Sequence, residues 1–424
     1  MTGSTRWALP LLAVVAAGTP VGAQEPSLTF SPRRLARIDS AMQAYVDQGQ
    51  IAGAVTLVLR NGRVAHRGVY GWADKTTGAR MTAEAIFRIA SQTKAITSVA
   101  AMILVEEGRL GLGDPIARWL PSYAAATVAT RSDTGWALVP VRRPITVRDL
   151  LTHTAGISYG TSPQLAERYR SQGLGPAAGF GWYTADKDEP ICETMDRLGT
   201  LPFQAQPGEG YVYGYGTDIL GCLVERVSGH PLDRFVADRI TGPLGMSDTH
   251  FFLPPEKAAR LTAVHRRDSA GAIVKAPDGA RGQGHYLEGP RKSFAGGAGL
   301  LSTAKDYARF LEMLRRGGEL DGVRILSPTT VELMTSNQVG TLFGTDGLAF
   351  GLGFQVALRP GAGGSPESLG TFGWGGAYQT DYAVDPGAGL VIVLMTQHLP
   401  NVPLDVRSRF TNLVYQALVP GRTP

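Results

Sequence analysis

The chain has 424 residues, 43% of them hydrophobic and 18% charged, the balance of a globular protein with a substantial core rather than a disordered or fibrous one. Lysine and arginine number 41 against 36 aspartate and glutamate, a formal net charge of +5, but the basic residues are scattered, the densest groups being pairs such as Arg142-Arg143 and Arg315-Arg316. Nucleic-acid recognition needs a basic stripe or block, and none is written here.

In chain order, residues 1–23 read as a secretory signal peptide: one charge at Arg6, a short apolar run, and small residues ahead of Gln24, with cleavage expected after Ala23. The apolar run is too short to span a bilayer comfortably and has no basic stop behind it. No later segment is apolar enough to cross, so the mature chain is expected to be secreted or periplasmic with no membrane span. Export leaves Cys192 and Cys222 open to a disulfide, which would close a loop of about 30 residues and stabilise by roughly 3 to 4 kcal/mol; two buried thiols fit the sequence equally well. The seven histidines are dispersed, none at ligand spacing with a cysteine or carboxylate, so neither a metal nor a cofactor is expected.

From Ser31 a helical period puts Leu35, Ile38, Met42 and Val46 on one face. Two strands follow at residues 52–59 and 63–70, joined by Asn61-Gly62, a strong hairpin signal. An apolar helix then carries Ser91. Residues 112–310 read as a mostly helical region with long Gly/Pro/Ser loops and few strands. Strand character returns at 350–358, 379–385 and 390–396, with a turn at Asp385-Pro-Gly-Ala-Gly389, and a closing helix over 404–418 presents Val406, Phe410, Leu413 and Val414. The fold class expected is α/β plus all-α: an antiparallel sheet built from both chain ends (residues 24–111 and 311–424), flanked by the first and last helices, with 112–310 inserted.

Ser91-x-x-Lys94 places an amine one helical turn from a hydroxyl, on the same face, at a helix start whose partial positive charge favours an alkoxide. Ser302-x-x-Lys305 has the same spacing but reads better as a cap, with Thr303-x-x-Asp306 fitting a capping box. Gly156-Ile-Ser158-Tyr-Gly160 satisfies G-x-S-x-G, yet the residues ahead of it look helical, whereas that elbow must follow a buried strand. His153 nearby reads as a structural residue that orders its loop by a side-chain hydrogen bond. A Ser/Lys pair also needs a proton shuttle and an oxyanion hole. Tyr211, Tyr213 and Tyr215 precede a helix, and the glycines of Trp374-Gly375-Gly376-Ala377 allow close backbone approach.

Ser91-x-x-Lys94, the 207–221 segment and Trp374-Gly-Gly, in that order, resemble the serine β-lactamase and penicillin-recognising superfamily. The resemblance is to its class C-like branch, with family VIII-type esterases, D-amino-acid-specific peptidases and a polyketide acyltransferase. Leu150-Leu-Thr-His-Thr-Ala-Gly-Ile157, Pro243-Leu-Gly-Met-Ser-Asp-Thr249, Gly296-Gly-Ala-Gly-Leu-Leu-Ser-Thr303 and Asp306-Tyr-Ala-Arg-Phe310 extend it over roughly residues 35–418. It implies a β-lactamase/transpeptidase-like fold with the site between the α/β and all-α parts. By the same resemblance Ser91 is the nucleophile, Lys94 its partner and Tyr213 the family's tyrosine, with the backbone NH groups of Ser91 and Ala377 as the oxyanion hole and Trp374, Gly375 and Gly376 against substrate.

Two departures carry information. Tyr213-Gly-Tyr215 stands where the commonest form has Tyr-x-Asn, and Trp374-Gly375-Gly376 where many members have Lys-Thr-Gly. The missing lysine removes a charged hydrogen bond worth about 1.5 to 3 kcal/mol, pointing away from free-carboxylate substrates and toward small neutral esters. A phenol ionising near 10 is a poor base at neutral pH, but a cation about 4 Å away is worth on the order of 4 kcal/mol at an effective dielectric near 20, enough to make Tyr213 and Lys94 titrate as a pair. The expected function is therefore an exported serine hydrolase acting on a small-molecule ester or amide through a Ser91 acyl-enzyme. Its rivals are a β-lactamase or D-peptidase, an acyltransferase, and a binding protein with a silenced site. Pocket size is expected to depend on loops at 120–140, 160–190 and 270–292.

Overall fold

A computed structural model describes residues 1–3, 28–133, 135–175, 186–279, 282–399 and 405–421; most of the expected signal peptide lies outside the described residues. Pro32–Asp47 forms α1, with Ile38 and Met42 fully buried. β1 (Gly53–Arg60) and β2 (Arg63–Asp74) pair antiparallel through the Asn61-Gly62 turn. Both turn residues take positive φ, +48° and +79°, as the right-handed twist of a two-residue hairpin requires.

β3 (Ala79–Arg80) edges β2, and the remaining strands come from the C-terminal quarter: β4 (Leu348–Phe350), β5 (Gln355–Ala357), β6 (Phe372–Gly375), β7 (Asp381–Asp385) and β8 (Leu390–Met395). The eight-stranded order is β4-β5-β6-β7-β8-β1-β2-β3, antiparallel throughout. The chain ends meet at its centre, where β8 pairs β1 from Leu390↔Arg60 to Met395↔Val55.

The sheet is covered on both faces, so β1 and β8 are buried along their length rather than alternating, with Thr56 the one polar residue inside β1. Val55, Leu57, Leu59, Val391, Val393 and Met395 face a large core shared with α2 (Thr93–Glu106). Ala54, Val58, Leu390, Ile392 and Leu394 face α1 and the closing helix, packing on Ile38, Met42, Phe410 and Val414.

Two helices of the inserted part, α4 (Ile191–Gly199) and α5 (Gly216–Ser228), follow the short α3 (Val147–Leu151). Cys192 and Cys222 are disulfide-bonded, tying α4 to α5. Three features differ from the sequence reading. Residues 350–358 are two short strands split by a turn, Phe372–Gly375 is a strand, and an antiparallel hairpin pairs Thr127–Ser132 with Gly135–Pro140. α6 (Ala304–Arg315) and α7 (Val406–Gln416) complete the frame. Among the described residues no helix is long and apolar enough to cross a membrane.

Candidate active site

Ser91 lies in a 3-10 turn, Ala90–Gln92, that runs directly into α2. Ala90 enters the turn at φ +45°, a left-handed conformation that costs a residue with a Cβ and persists only where its surroundings impose it. They do so here: Ile89 N donates to Leu300 O at 3.1 Å, the Arg88 guanidinium donates to Thr262 O at 2.6 Å and Gln283 O at 2.7 Å, and Tyr307 OH donates to Gln92 O at 2.9 Å. The first turn of α2 places Lys94, 3% exposed, with Nζ 3.3 Å from Ser91 Oγ.

The ammonium has two further hydrogen bonds, to Gly297 O at 2.6 Å and to Tyr159 OH at 3.1 Å. It also lies 4.7 Å from the centroid of the Tyr213 ring, within cation–π range. Tyr159 was not among the residues read from the sequence, although it sits inside the Gly156–Gly160 motif. The short helix α3, not a strand, leads into that motif; Ser158 is buried and accepts a hydrogen bond from Gly160 N at 3.2 Å, while Tyr159 lines the cavity. No local sequence signal marks it; a Cβ on Gly214 would meet Ile157 O at 2.3 Å, so the 157–159 and 213–215 segments come together only in the fold. Burial pushes the Tyr159 phenol well above its ordinary range, reinforced by neighbouring Tyr213 and Asp218.

Tyr213 is brought to the site as expected, its OH accepting from Trp374 Nε1 at 3.3 Å with the rings 5.6 Å apart. Tyr215 turns away: its ring packs 4.9 Å from Tyr159 and its OH accepts from Gly175 N at 3.0 Å. Tyr211 packs against Phe343 and Phe350. His153, at φ +56°, packs at a tilt of 51° with its ring centroid 4.7 Å from that of Tyr213, and its Nδ1 has no hydrogen-bond partner among the described residues. Burial, then the Lys94 charge, push its pKa down to about 3. Among the described residues Nδ1 makes no hydrogen bond of the kind expected to order the loop. Ser302 Oγ pairs with Thr249 Oγ1 at 2.8 Å, Thr303 caps α6, and Lys305 is exposed, so the second S-x-x-K takes no part in the cavity.

The end of β6 forms the opposite wall. A Cβ on Gly376 would lie 2.5 Å from Ile89 O, so glycine lets this backbone touch the turn that holds Ser91, and Ala377 follows into the same cavity. A Cβ on Gly375 would lie 2.6 Å from Arg407 Nη1, and Arg407 Nη2 donates to Gly376 O at 2.7 Å. The absence of a cation, read from the missing lysine, is therefore corrected: α7 supplies a guanidinium, with Asp381 beside it. Burial pushes the Asp381 carboxyl up to about 6, against the pull of Arg407.

The cavity measures about 730 Å³ and is lined by Ser91, Tyr159, Tyr213 and Trp374 together with Gln355, Glu367, Asp381, Arg407 and Tyr415. Among the described residues of the loops expected to shape it, only Thr161 contributes; residues 348–415 supply most of the described lining.

A serine hydrogen-bonded to a buried lysine, under tyrosines and beside a glycine-rich strand end, on this fold, defines a serine hydrolase of one lineage. The beta-lactamase family profile matches residues 38–416, and the chain belongs to that family. An uncharacterised protein of Mycobacterium tuberculosis is 35% identical over 387 residues, covering 86% of this chain and 90% of that protein. Esterase EstB of Burkholderia gladioli is 31% identical over 376 residues, covering 85% and 90%. Among solved structures, EstCE1, described as a hydrolase with promiscuous acyltransferase activity, superposes with a TM-score of 0.76 at 28% identity, covering 90% of this chain and 99% of that one.

Proposed function

We propose that the protein is an exported esterase that cleaves small neutral esters through an acyl-enzyme on Ser91. The observation that carries this reading is the Lys94 ammonium, hydrogen-bonded to Ser91 Oγ on the wall of an open cavity while it faces two tyrosines. The Tyr213/Lys94 pair takes the Ser91 proton as Oγ attacks the ester carbonyl, and the oxyanion is received by the NH groups of Ser91 and Ala377. The pair returns the proton to the leaving alcohol; water then hydrolyses the acyl-enzyme by the reverse proton path.

The neutral-ester preference rests on the aromatic wall of Trp374 and Tyr213 and on Asp381, whose carboxylate opposes the charge of Arg407. The esterase names of EstB and EstCE1's description support the reaction class. Export rests on the composition of residues 1–23 alone.

Labelling with a fluorophosphonate, followed by mapping of the modified peptide, tests the assignment. The label is expected on Ser91, with p-nitrophenyl butyrate turned over and nitrocefin hydrolysed far more slowly. A folded protein that takes no label is a binding protein instead, and label on Ser158 or Ser302 moves the nucleophile.

A further inference from the structure

We propose that Asp218 is a positioning residue for Lys94, acting through the main chain of Gly297. The inference rests on the reading of Ser91 and Lys94 as the reacting pair. Asp218 is 0% exposed and lies in the first turn of α5, which begins just after Tyr213 and Tyr215. A carboxylate in that setting is costly unless its charge is answered, and the helix start answers part of it.

The geometry also links it to the lysine. Asp218 Oδ1 accepts from Gly297 N at 3.1 Å, and Gly297 O accepts from Lys94 Nζ at 2.6 Å. One residue thus carries the anion on its amide and the cation on its carbonyl. Gly297 has no room for a side chain, since a Cβ would sit 2.3 Å from Asp218 Oδ2. Its neighbour is pinned as well: Thr97 Oγ1, one turn along α2 from Lys94, donates to Gly296 O at 2.8 Å, and a Cβ on Gly296 would meet Thr217 O at 2.6 Å. The 296–297 backbone is therefore clamped between α2 and α5, and the carbonyl that orients the ammonium belongs to the same residue whose amide Asp218 holds. The same negative charge bears on Tyr159, the other hydrogen-bond partner of Lys94.

Asp218 has no seat in the cavity lining, so it does not touch substrate. Its effect belongs on the state and place of the lysine, in kcat and the pH profile and not in KM. Asp218→Asn keeps an acceptor for Gly297 N–H and removes the charge. With p-nitrophenyl butyrate it is expected to lower kcat at least tenfold, to leave KM within about twofold, and to displace the acidic limb of the kcat/KM profile, because a charge beside the reacting groups is lost. An unchanged kcat and limb, or a loss confined to KM, overturns the proposal.

A thermal double-mutant cycle with Lys94→Met reads the same coupling without catalysis. Lys94→Met alone removes the cation that this carboxylate meets through Gly297 and is expected to lower the melting temperature, and adding Asp218→Asn is expected to restore it. If Asp218→Asn alone does not fold, the double variant must fold; a double variant no more stable than the weaker single one overturns the proposal. Because this cycle needs no turnover, its outcome is independent of whether Ser91 proves to be the nucleophile.

Discussion

Lys94 Nζ reaches Tyr159 OH at 3.1 Å while Tyr213 offers the same ammonium the face of its ring. Two tyrosines thus flank one lysine in different ways. The hydroxyl of Tyr159 holds the charge in place, and Tyr213, held by Trp374 Nε1, is the phenol assigned the proton. Tyr213→Phe is expected to reduce kcat for p-nitrophenyl butyrate at least about a hundredfold, the usual reach of acid/base catalysis. Tyr159→Phe should cost nearer tenfold, since Gly297 O and Ser91 Oγ still bind the ammonium. Steady-state rates for the two variants check the ranking; a larger loss for Tyr159→Phe reverses the assignment.

The bond between Cys192 and Cys222 closes a loop of 30 residues between α4 and α5. Reduction, or the double change to Ala, is expected to remove roughly 3 to 4 kcal/mol of stability by the chain-entropy argument. Urea denaturation with and without a reductant measures it. A midpoint that does not move would show that the reduced chain already holds this loop closed when unfolded.

Three buried histidines make the fold acid-sensitive. Burial pushes His153 and His398 down to about 3 and His265 to about 4. His398 Nε2 accepts Ala52 N–H at 2.7 Å and His265 Nε2 accepts Lys75 N–H at 3.2 Å, acceptor roles a protonated ring cannot fill. As pH falls through the unfolded value near 6.5, the unfolded chain takes up protons the folded chain refuses, so stability is lost from about 6.5 down to about 4 for His265 and about 3 for His153 and His398. The limit is about 1.4 kcal/mol per histidine per pH unit. Unfolding free energies at pH 7 and pH 5 test the slope, which His398→Gln is expected to flatten.

Asp381 and Arg407 predict a charge-dependent specificity. With the Asp381 carboxyl titrating at about 6, the guanidinium is opposed above that pH and left unopposed below it. A hemiester bearing a free carboxylate is expected to lag behind a neutral ester of equal length at pH 8 and to gain on it as pH falls through 6. The ratio of kcat/KM values follows this, and Arg407→Ala should abolish the gain. A ratio independent of pH would place the substrate elsewhere in the cavity.

The parts legible in the sequence were those written in local patterns. The period-3.6 face of α1, the Asn61-Gly62 turn and the three-residue spacing of Ser91 and Lys94 each follow from near neighbours in the chain. β6 was hidden because Phe372-Gly-Trp-Gly375 has little strand propensity of its own; its ladder with β7 holds it extended. Tyr159 and Arg407 were hidden for a different reason. Nothing near residue 159 or 407 signals proximity to Lys94 or Gly376, since the sheet and the clamped glycines bring those segments together only in three dimensions.

The pairing of Thr56 with Leu394 has a consequence for how the chain is made. While a ribosome or an export channel feeds the polypeptide out from its N-terminus, β1 and β2 emerge with one flank unclaimed, and the strand that covers it arrives among the last. Such distant pairing is slow to form, and an exposed apolar edge invites aggregation meanwhile. Recombinant production should therefore benefit from holdase chaperones or low temperature, and clipping the final thirty-odd residues should yield inclusion bodies rather than a smaller enzyme.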